Sequence, residues 1–214
     1  MQPLWKSLRS SIRGSWTKLQ AQHARSFSVP GISQTSPSHL HQVVKLEELE
    51  NKTTEEISAI WLQYHADVAD NRVASVMSAE EWTLLQERGK KSPMFVLPVA
   101  KPGGGFLTMV TQMQLPFTLV TLLEEYKRNG PGAAACMVVT HYPELSQSKK
   151  VVLTRGDLLD PKQVPAEEAR AVLELLRAYY TDHEDYKAVF DFNHNPMRFD
   201  FNALLSKSGL KPLA

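Results

Sequence analysis

The chain contains very little cysteine and no long apolar run. Cys136 is the only cysteine among 214 residues, which excludes an internal disulfide framework and a zinc site built from several cysteines. No apolar stretch reaches the roughly 18 residues that a membrane-spanning helix needs. We therefore expect a domain that is held together by its own hydrophobic core and has no membrane span.

Acidic residues are missing from the first part of the chain. The first one is Glu47, although several basic residues precede it. A basic, serine-containing, acid-free amphipathic N-terminus is typical of an organelle transit peptide. The basic residues are Lys6, Arg9, Arg13, Lys18 and Arg25, and the apolar stripe is Leu4, Trp5, Leu8, Ile12, Trp16 and Leu19.

We assign residues 1–27 to this targeting role, with cleavage between Phe27 and Ser28. The regular arginines and the strong apolar stripe favour the mitochondrial matrix over a plastid. The alternative interpretation is a basic surface helix that stays on the protein.

Without residues 1–27 the chain is mildly acidic, since 19 basic and 23 acidic residues remain, a net charge of −4. Such a chain has no overall positive field for a nucleic-acid partner.

Residues 28–50 are rich in Ser, Pro, His and Gln and lack periodicity, which predicts a disordered linker. Residues 51–214 are long enough for one domain, which we expect to be a monomer.

Two helices with clear start signals open this domain. Thr53 with Glu56, and Ser78 with Glu81, have the spacing of a capping box, in which each side chain bonds the other residue's backbone N–H. The apolar spacing after these caps predicts which side chains are buried. They are Ile57, Ile60, Trp61 and Tyr64 on the first helix, and Trp82 and Leu85 on the second.

The middle of the chain changes to short runs rich in Val, Leu, Phe and Thr, joined by Gly- and Pro-containing turns. The connections are too short for helical crossovers, so the strands should pair antiparallel as a meander. A helix after Pro165 and another from about Phe199 to Lys207 follow, and the whole pattern predicts an α+β domain. The predicted strands are Val73–Met77, Met94–Leu97, Phe106–Met113, Phe117–Leu123, Ala135–Tyr142 and Lys150–Arg155.

Tests for catalytic, metal and cofactor motifs all fail. Gly103–Gly105 is followed by Phe106 where a phosphate-binding loop needs Lys and a helix. Asp191, Asn193 and Asn195 imitate the start of a calcium loop, which then lacks its Gly and its Glu. Cys136 lies in an apolar run and is expected to be a buried thiol. We predict no cofactor and no resident metal.

Several short segments share their order and spacing with one protein family. Over about residues 53–210 the chain resembles the mitochondrial ATP synthase assembly-factor family, which binds the unassembled catalytic β subunit of the soluble ATPase head. The region Leu115–Gly132 departs from the family pattern. The segments that carry the resemblance are Lys52–Ile57, Ile60–Tyr64, Val76–Trp82, Ser92–Pro98, Thr140–Leu145, Lys150–Thr154 and Phe192–Pro196 with Phe199.

This resemblance implies a chaperone that is not an enzyme. Its partner would be free β subunit, whose apolar subunit interface it would shield until the α subunit displaces it. We expect the partner to contact apolar or aromatic residues displayed beside Pro and Gly, although strand alternation would place about half of such a set in the core. The candidate contact residues are Phe106, Phe117, Leu119, His141, Tyr142 and Leu145.

Two other classes of function stay open at the level of sequence. One is a small organellar enzyme, with a site built from His141, Asp157, Asp191 and His194. The other is a scaffold for a different complex. Trp61, Trp82, Val172 and Leu176 are assigned to the core in either case.

The transit-peptide assignment predicts that the mature protein begins at Ser28. N-terminal sequencing of the protein recovered from its organelle checks this prediction. An intact Met1 on the mature protein would show that the basic segment is retained.

Overall fold

The computed structural model describes residues 39–66 and 71–211, and the predicted transit peptide lies outside them. The described residues form an α+β domain with a fully antiparallel sheet, which confirms the predicted fold class. The helices are α1 Leu46–Leu49, α2 Thr54–Tyr64, α3 Ala79–Lys91, α4 Leu123–Asn129, α5 Ala166–Thr181, α6 His183–His194 and α7 Phe201–Lys207. The strands are β1 Arg72–Ser78, β2 Met94–Ala100, β3 Phe106–Gln114, β4 Phe117–Leu122, β5 Met137–Tyr142 and β6 Val151–Leu158.

The sheet has the strand order β1-β6-β5-β4-β3-β2. Strands β2 to β6 form the predicted meander, and β1 pairs with β6 at the far edge. Helix α3 therefore carries the chain from one edge of the sheet to the other. Its 13 residues extend about 20 Å, which is close to the ~24 Å that six strands occupy side by side.

Helix α5 is the centre of the main core. It contacts both edge strands, β1 and β2, as well as β6, so the sheet curls around it. The Phe95 ring on β2 lies 5.0 Å from Tyr179 of α5 and 5.8 Å from Phe192 of α6, measured between ring centroids. The four residues assigned to the core from the sequence, Trp61, Trp82, Val172 and Leu176, are all buried.

Both predicted capping boxes form. The Thr53 and Ser78 hydroxyls accept hydrogen bonds from Glu56 N and Glu81 N, and each glutamate carboxylate accepts from its cap residue's N–H. These bonds satisfy backbone donors that a helix start leaves free.

Helices α4 and α6 were not predicted from the sequence pattern. Helix α4 takes the place of the end of a predicted strand and the turn after it. Acidic residues in its first turn and basic residues in its last turn favour the helix dipole, and Glu124 pairs with Lys127 at 2.8 Å. Helix α6 begins where Asp182 accepts a hydrogen bond from Asp185 N. Helix α4 has only 7 residues, whereas α6 has 12.

The structure also differs from the prediction near residue 40. The described part of the predicted linker, residues 39–50, contains a 3-10 helix at Leu40–Gln42 followed by α1. Leu40 and Leu49 are buried. The buried stripe predicted for α2 is half wrong, because Ile57 and Trp61 are buried whereas Ile60 and Tyr64 are 41% and 55% exposed.

The β2 edge of the sheet is closed to further strands. The Asn193 side chain accepts from Met94 N at 3.3 Å and donates to Met94 O at 2.6 Å. Pro98, four positions after Met94 on the same strand, has no N–H to donate to a further strand. Side-chain capping and proline are two ways in which proteins prevent edge-to-edge association.

Replacing Gly156 with alanine should destabilise the domain. A Cβ at this β6 position would clash with Met137 Cε and lie 2.9 Å from Val73 Cγ2. We expect Gly156→Ala to lower the free energy of unfolding by about 1–3 kcal/mol, as measured by urea denaturation. Gly132→Ala is the control, because nothing lies within 4 Å of its added Cβ. Equal stabilities of the two variants would contradict tight packing at Gly156.

Candidate partner-binding surface

The sheet has two faces with different cover. One face packs on α3, α5 and α6, and we call the opposite one the outer face. Antiparallel partners share a face, so the register places Leu153 and Tyr142 together on the outer face. Thr140 of β5 pairs with Phe117 of β4, and Phe117 pairs with Gln114 of β3, so these three residues lie on the outer face as well.

The N-terminal segment covers one half of the outer face. Ile57 and Trp61 of α2 pack with Leu40 and Leu49 on Leu153 of β6, and Tyr142 completes this second core cluster. Trp61 Nε1 donates to Thr154 O at 3.0 Å. This half of the face is therefore closed to a partner.

Polar bonds hold this segment in place from the turn after β5. Glu144 Oε1 accepts from Leu40 N at 2.7 Å. Lys149 Nζ donates to the carbonyls of Glu50 and Lys52 at 2.7 and 2.9 Å. The stretch Thr140–Leu145, the most recognisable string of the sequence, thus has a structural task in attaching the N-terminal layer.

Two of the six candidate contact residues lie in the core. His141 is 1% exposed and points to the α5 side, where its Nδ1 lies 3.0 Å from Thr154 Oγ1 and its ring lies 5.1 Å from Trp82. Tyr142 is fully buried on the outer face, 5.8 Å from Trp61. Burial lowers the pKa of His141 to about 3 and raises the pKa of Tyr142 to about 12. Neither side chain can touch a partner in this structure.

The other four candidates are half-buried. Phe117 and Leu119 stand two residues apart on β4, opposite Gln114 and Gln112 of β3. They form a small surface with apolar centre and amide edge, which we call the β4 patch. Leu145 packs against the second core cluster.

Phe106 is separate from the β4 patch, although it shares the outer face. It is at the start of β3, and Gln114 is at the end. Eight residues of strand separate the two, about 27 Å. The structure therefore brings Phe117 and Leu119 together and leaves Phe106 near the Gly103–Gly105 turn.

An apolar groove lies beside α2, and sequence reasoning missed it. We call it the α2 groove; its volume is about 260 Å³. The signal was present, because Ile60, Leu62 and Tyr64 all follow the buried Ile57 closely, which gives α2 more apolar surface than one stripe can bury. The lining residues are Val43, Val44, Lys45, Glu48, Leu49, Ile57, Ile60, Trp61, Tyr64 and Leu153.

The residues proposed for an enzyme site do not meet in one cleft. His141 is on the α5 side of the sheet, whereas Asp157 is on the outer face, where Arg155 binds it. Asp191 and His194 belong to α6. No group of three or more His, Cys, Asp or Glu within residues 39–66 and 71–211 could hold a metal ion.

A serine–histidine contact near α3 also lacks the required chemistry. His194 Nε2 lies 3.2 Å from Ser92 Oγ and 3.0 Å from Lys91 O. A carbonyl oxygen only accepts, so Nε2 carries a proton and cannot remove one from Ser92. Ser92 is moreover fully buried. This contact fastens α6 to the end of α3.

Cys136 is buried, as predicted. Its Sγ–H donates to Val120 O at 3.3 Å, and burial raises the thiol pKa to about 11. The thiolate, which is the nucleophilic form, is therefore scarce at neutral pH.

Every helix in the described ranges is too short or too polar to cross a membrane.

Comparison with known proteins identifies the family of this chain. The family model described as ATP11 protein matches residues 9–205. The chain belongs to the ATP11 protein family.

Three relatives carry informative names. The human protein "ATP synthase mitochondrial F1 complex assembly factor 1" is 31% identical over 183 residues, which cover 82% of this chain and 54% of the relative. The mouse protein of the same name is 30% identical, with 82% and 55% covered. "Protein atp11, mitochondrial" of Schizosaccharomyces pombe is 24% identical, with 69% and 52% covered. The chain spans about half the length of these curated relatives.

The buried state of His141 predicts a stability that depends on pH. Its folded pKa lies below the value of 6.5 for a free histidine, so between these values the unfolded chain binds a proton that the folded chain does not. Stability should therefore be complete above pH 6.5 and fall below it, by about 2 kcal/mol at pH 5. Urea denaturation at pH 5, 6 and 7 measures this slope.

His141→Gln should reduce the slope, whatever it does to stability at pH 7. His183→Gln, at an exposed position of α6, is the matched control for the loss of a histidine. Parallel pH profiles of the wild type and His141→Gln would show that another group is responsible.

Proposed function

We propose that this protein is a mitochondrial assembly chaperone that binds free ATP synthase β subunit until the α subunit displaces it. Its membership of the ATP11 protein family, together with the names of its human and mouse relatives, is the observation that carries the proposal. The function needs neither a cofactor nor a chemical step.

The physical task is to cover an apolar surface for a limited time. A free subunit of a ring exposes the surface that its neighbours cover after assembly, and large exposed apolar patches cause aggregation. The covering interface should bury about 1,000–2,000 Å² in total. It must also be weaker than the final subunit contact, so that the α subunit replaces the chaperone by mass action.

The outer face offers accessible residues for this contact. The β4 patch presents Phe117 and Leu119 beside Gln112 and Gln114 of β3, a combination of apolar and polar side chains that suits a non-obligate interface. Leu145 and Phe106 extend the same face. His141 and Tyr142 support it from within the core.

The proposal predicts that the full chain captures free β subunit in a co-purification experiment. Assembled ATPase and isolated α subunit should not be captured, because in the first the surface is covered and in the second it differs. Added α subunit should release the captured β subunit. Failure to capture folded β subunit would overturn the proposal, and capture that α subunit cannot reverse would exclude the displacement step.

Substitutions can locate the contact within the same experiment. Phe117→Ser should weaken capture at least tenfold if the β4 patch is the centre of the interface. Phe190→Ser is the matched control, since Phe190 is 41% exposed on α6, on the opposite side of the sheet. Equal losses in the two variants would place the contact elsewhere.

A further inference from the structure

Helix α2 has two apolar sides, and only one of them is used inside the domain. Ile57 and Trp61 are buried on the sheet, while Ile60 and Tyr64 are 41% and 55% exposed. Both exposed residues line the α2 groove. An occupant that covered them would remove their apolar surface from water, which favours binding.

The groove is a slot with two walls and a floor. One wall is α2, and the other is the stretch from Val43 to α1. Leu153 contributes the floor from β6, a central strand that pairs with both β1 and β5.

This construction favours a helix over a strand as occupant. The backbone groups of β6 are engaged in pairing on both sides, and those of α2 are engaged within the helix, so the groove offers side chains for contact. Strand addition requires a free sheet edge, whereas an amphipathic helix binds through anchors at positions i, i+3, i+4 and i+7. Helix α2 has 11 residues and is about 16 Å long, which matches about three turns of a partner helix.

The elements that form the groove are acidic. The stretch from Lys45 to Glu56 contains five glutamates, all exposed, and two lysines, a net charge of −3. Lys149, bonded to the backbone of the same stretch, reduces this to −2. Lys45 and Glu48 form an ion pair at 3.4 Å on the groove rim. These two are the charged residues that line the groove and they balance each other, so the negative charge of the rim comes from the exposed glutamates around it. That charge favours Lys and Arg beside the apolar anchors of the occupant.

We propose that the α2 groove binds a short amphipathic helix of the β subunit, with large apolar residues on one face and basic residues beside them. The inference rests on the proposed function and adds a second contact site to it. A second copy of this chain is a poor occupant, because a symmetric contact would bring two acidic rims together.

The test uses two substitutions on the same helix. Ile60→Ser removes an exposed anchor inside the groove, and Leu62→Ser removes one of similar exposure, 43%, that does not line it. With the full chain and free β subunit, Ile60→Ser should weaken binding at least fivefold and Leu62→Ser less than twofold. Equal binding by the two variants would overturn the proposal.

The acidic rim has a separate readout. Glu48→Lys should weaken binding of β subunit and make it less sensitive to salt between 50 and 300 mM, values chosen to span the screening range. The lost pair with Lys45 costs little, because both side chains are largely exposed. Unchanged affinity and unchanged salt dependence would contradict the expected basic flank.

A peptide separates failure of this inference from failure of the proposed function. The probe is a labelled synthetic helix of about 14 residues with leucines at i, i+3, i+4 and i+7 and lysines elsewhere, followed by fluorescence anisotropy. If β subunit is not captured, the proposed function fails and the assignment to that client fails with it. The peptide then still decides whether the groove takes a helix: binding that is lost in Ile60→Ser, kept in Leu62→Ser and absent for a scrambled peptide supports it. Equal binding of both peptides, or no binding, overturns it.

Discussion

Strand β6 is buried along its whole length, and the rest of the fold depends on this two-sided burial. Side chains at alternate positions pack on α5 and on α2, while Gly156 leaves room for Met137 and Val73. A central strand with both faces covered cannot shift its register by one residue without exchanging every side chain between two different cores. This constraint holds the helices of both layers at defined positions.

The two layers differ in how much of the sheet they cover, and this difference bears on the proposed function. The α5 layer fills the curl of the sheet from one edge to the other. The N-terminal layer covers only part of the outer face, and leaves the β4 patch and the α2 groove accessible at its borders. The proposed function, in which the α subunit displaces the protein, requires contacts of this moderate kind, because a larger apolar surface would aggregate or bind too tightly.

Local signals predicted much of the fold and little of the surface. The capping boxes of Thr53 and Ser78 and the alternating strands each depend on residues a few positions apart, so their effect is visible in the chain. The antiparallel meander of β2 to β6 was predicted from the short connections. Helices α4 and α6, in contrast, begin within apolar or charged stretches that several local structures can accommodate. His141 and Tyr142 belonged to a recognisable string, but being recognisable says nothing about which way a side chain points.

The sequence by itself determined the α+β class, the core helix α5, the buried thiol of Cys136 and the family to which the chain belongs. The first three follow from composition, from periodicity and from short-range capping, whereas the family follows from segments whose order and spacing resemble it. Only the tertiary structure decided that Leu40 and Leu49 are buried, that Glu144 attaches the N-terminal segment, and that Ile60 and Tyr64 face the solvent. Each of these depends on partners about a hundred positions away or on which side of a helix meets the sheet. The local pattern cannot specify distant partners, and on α2 it offers more apolar side chains than one side can bury without deciding between them.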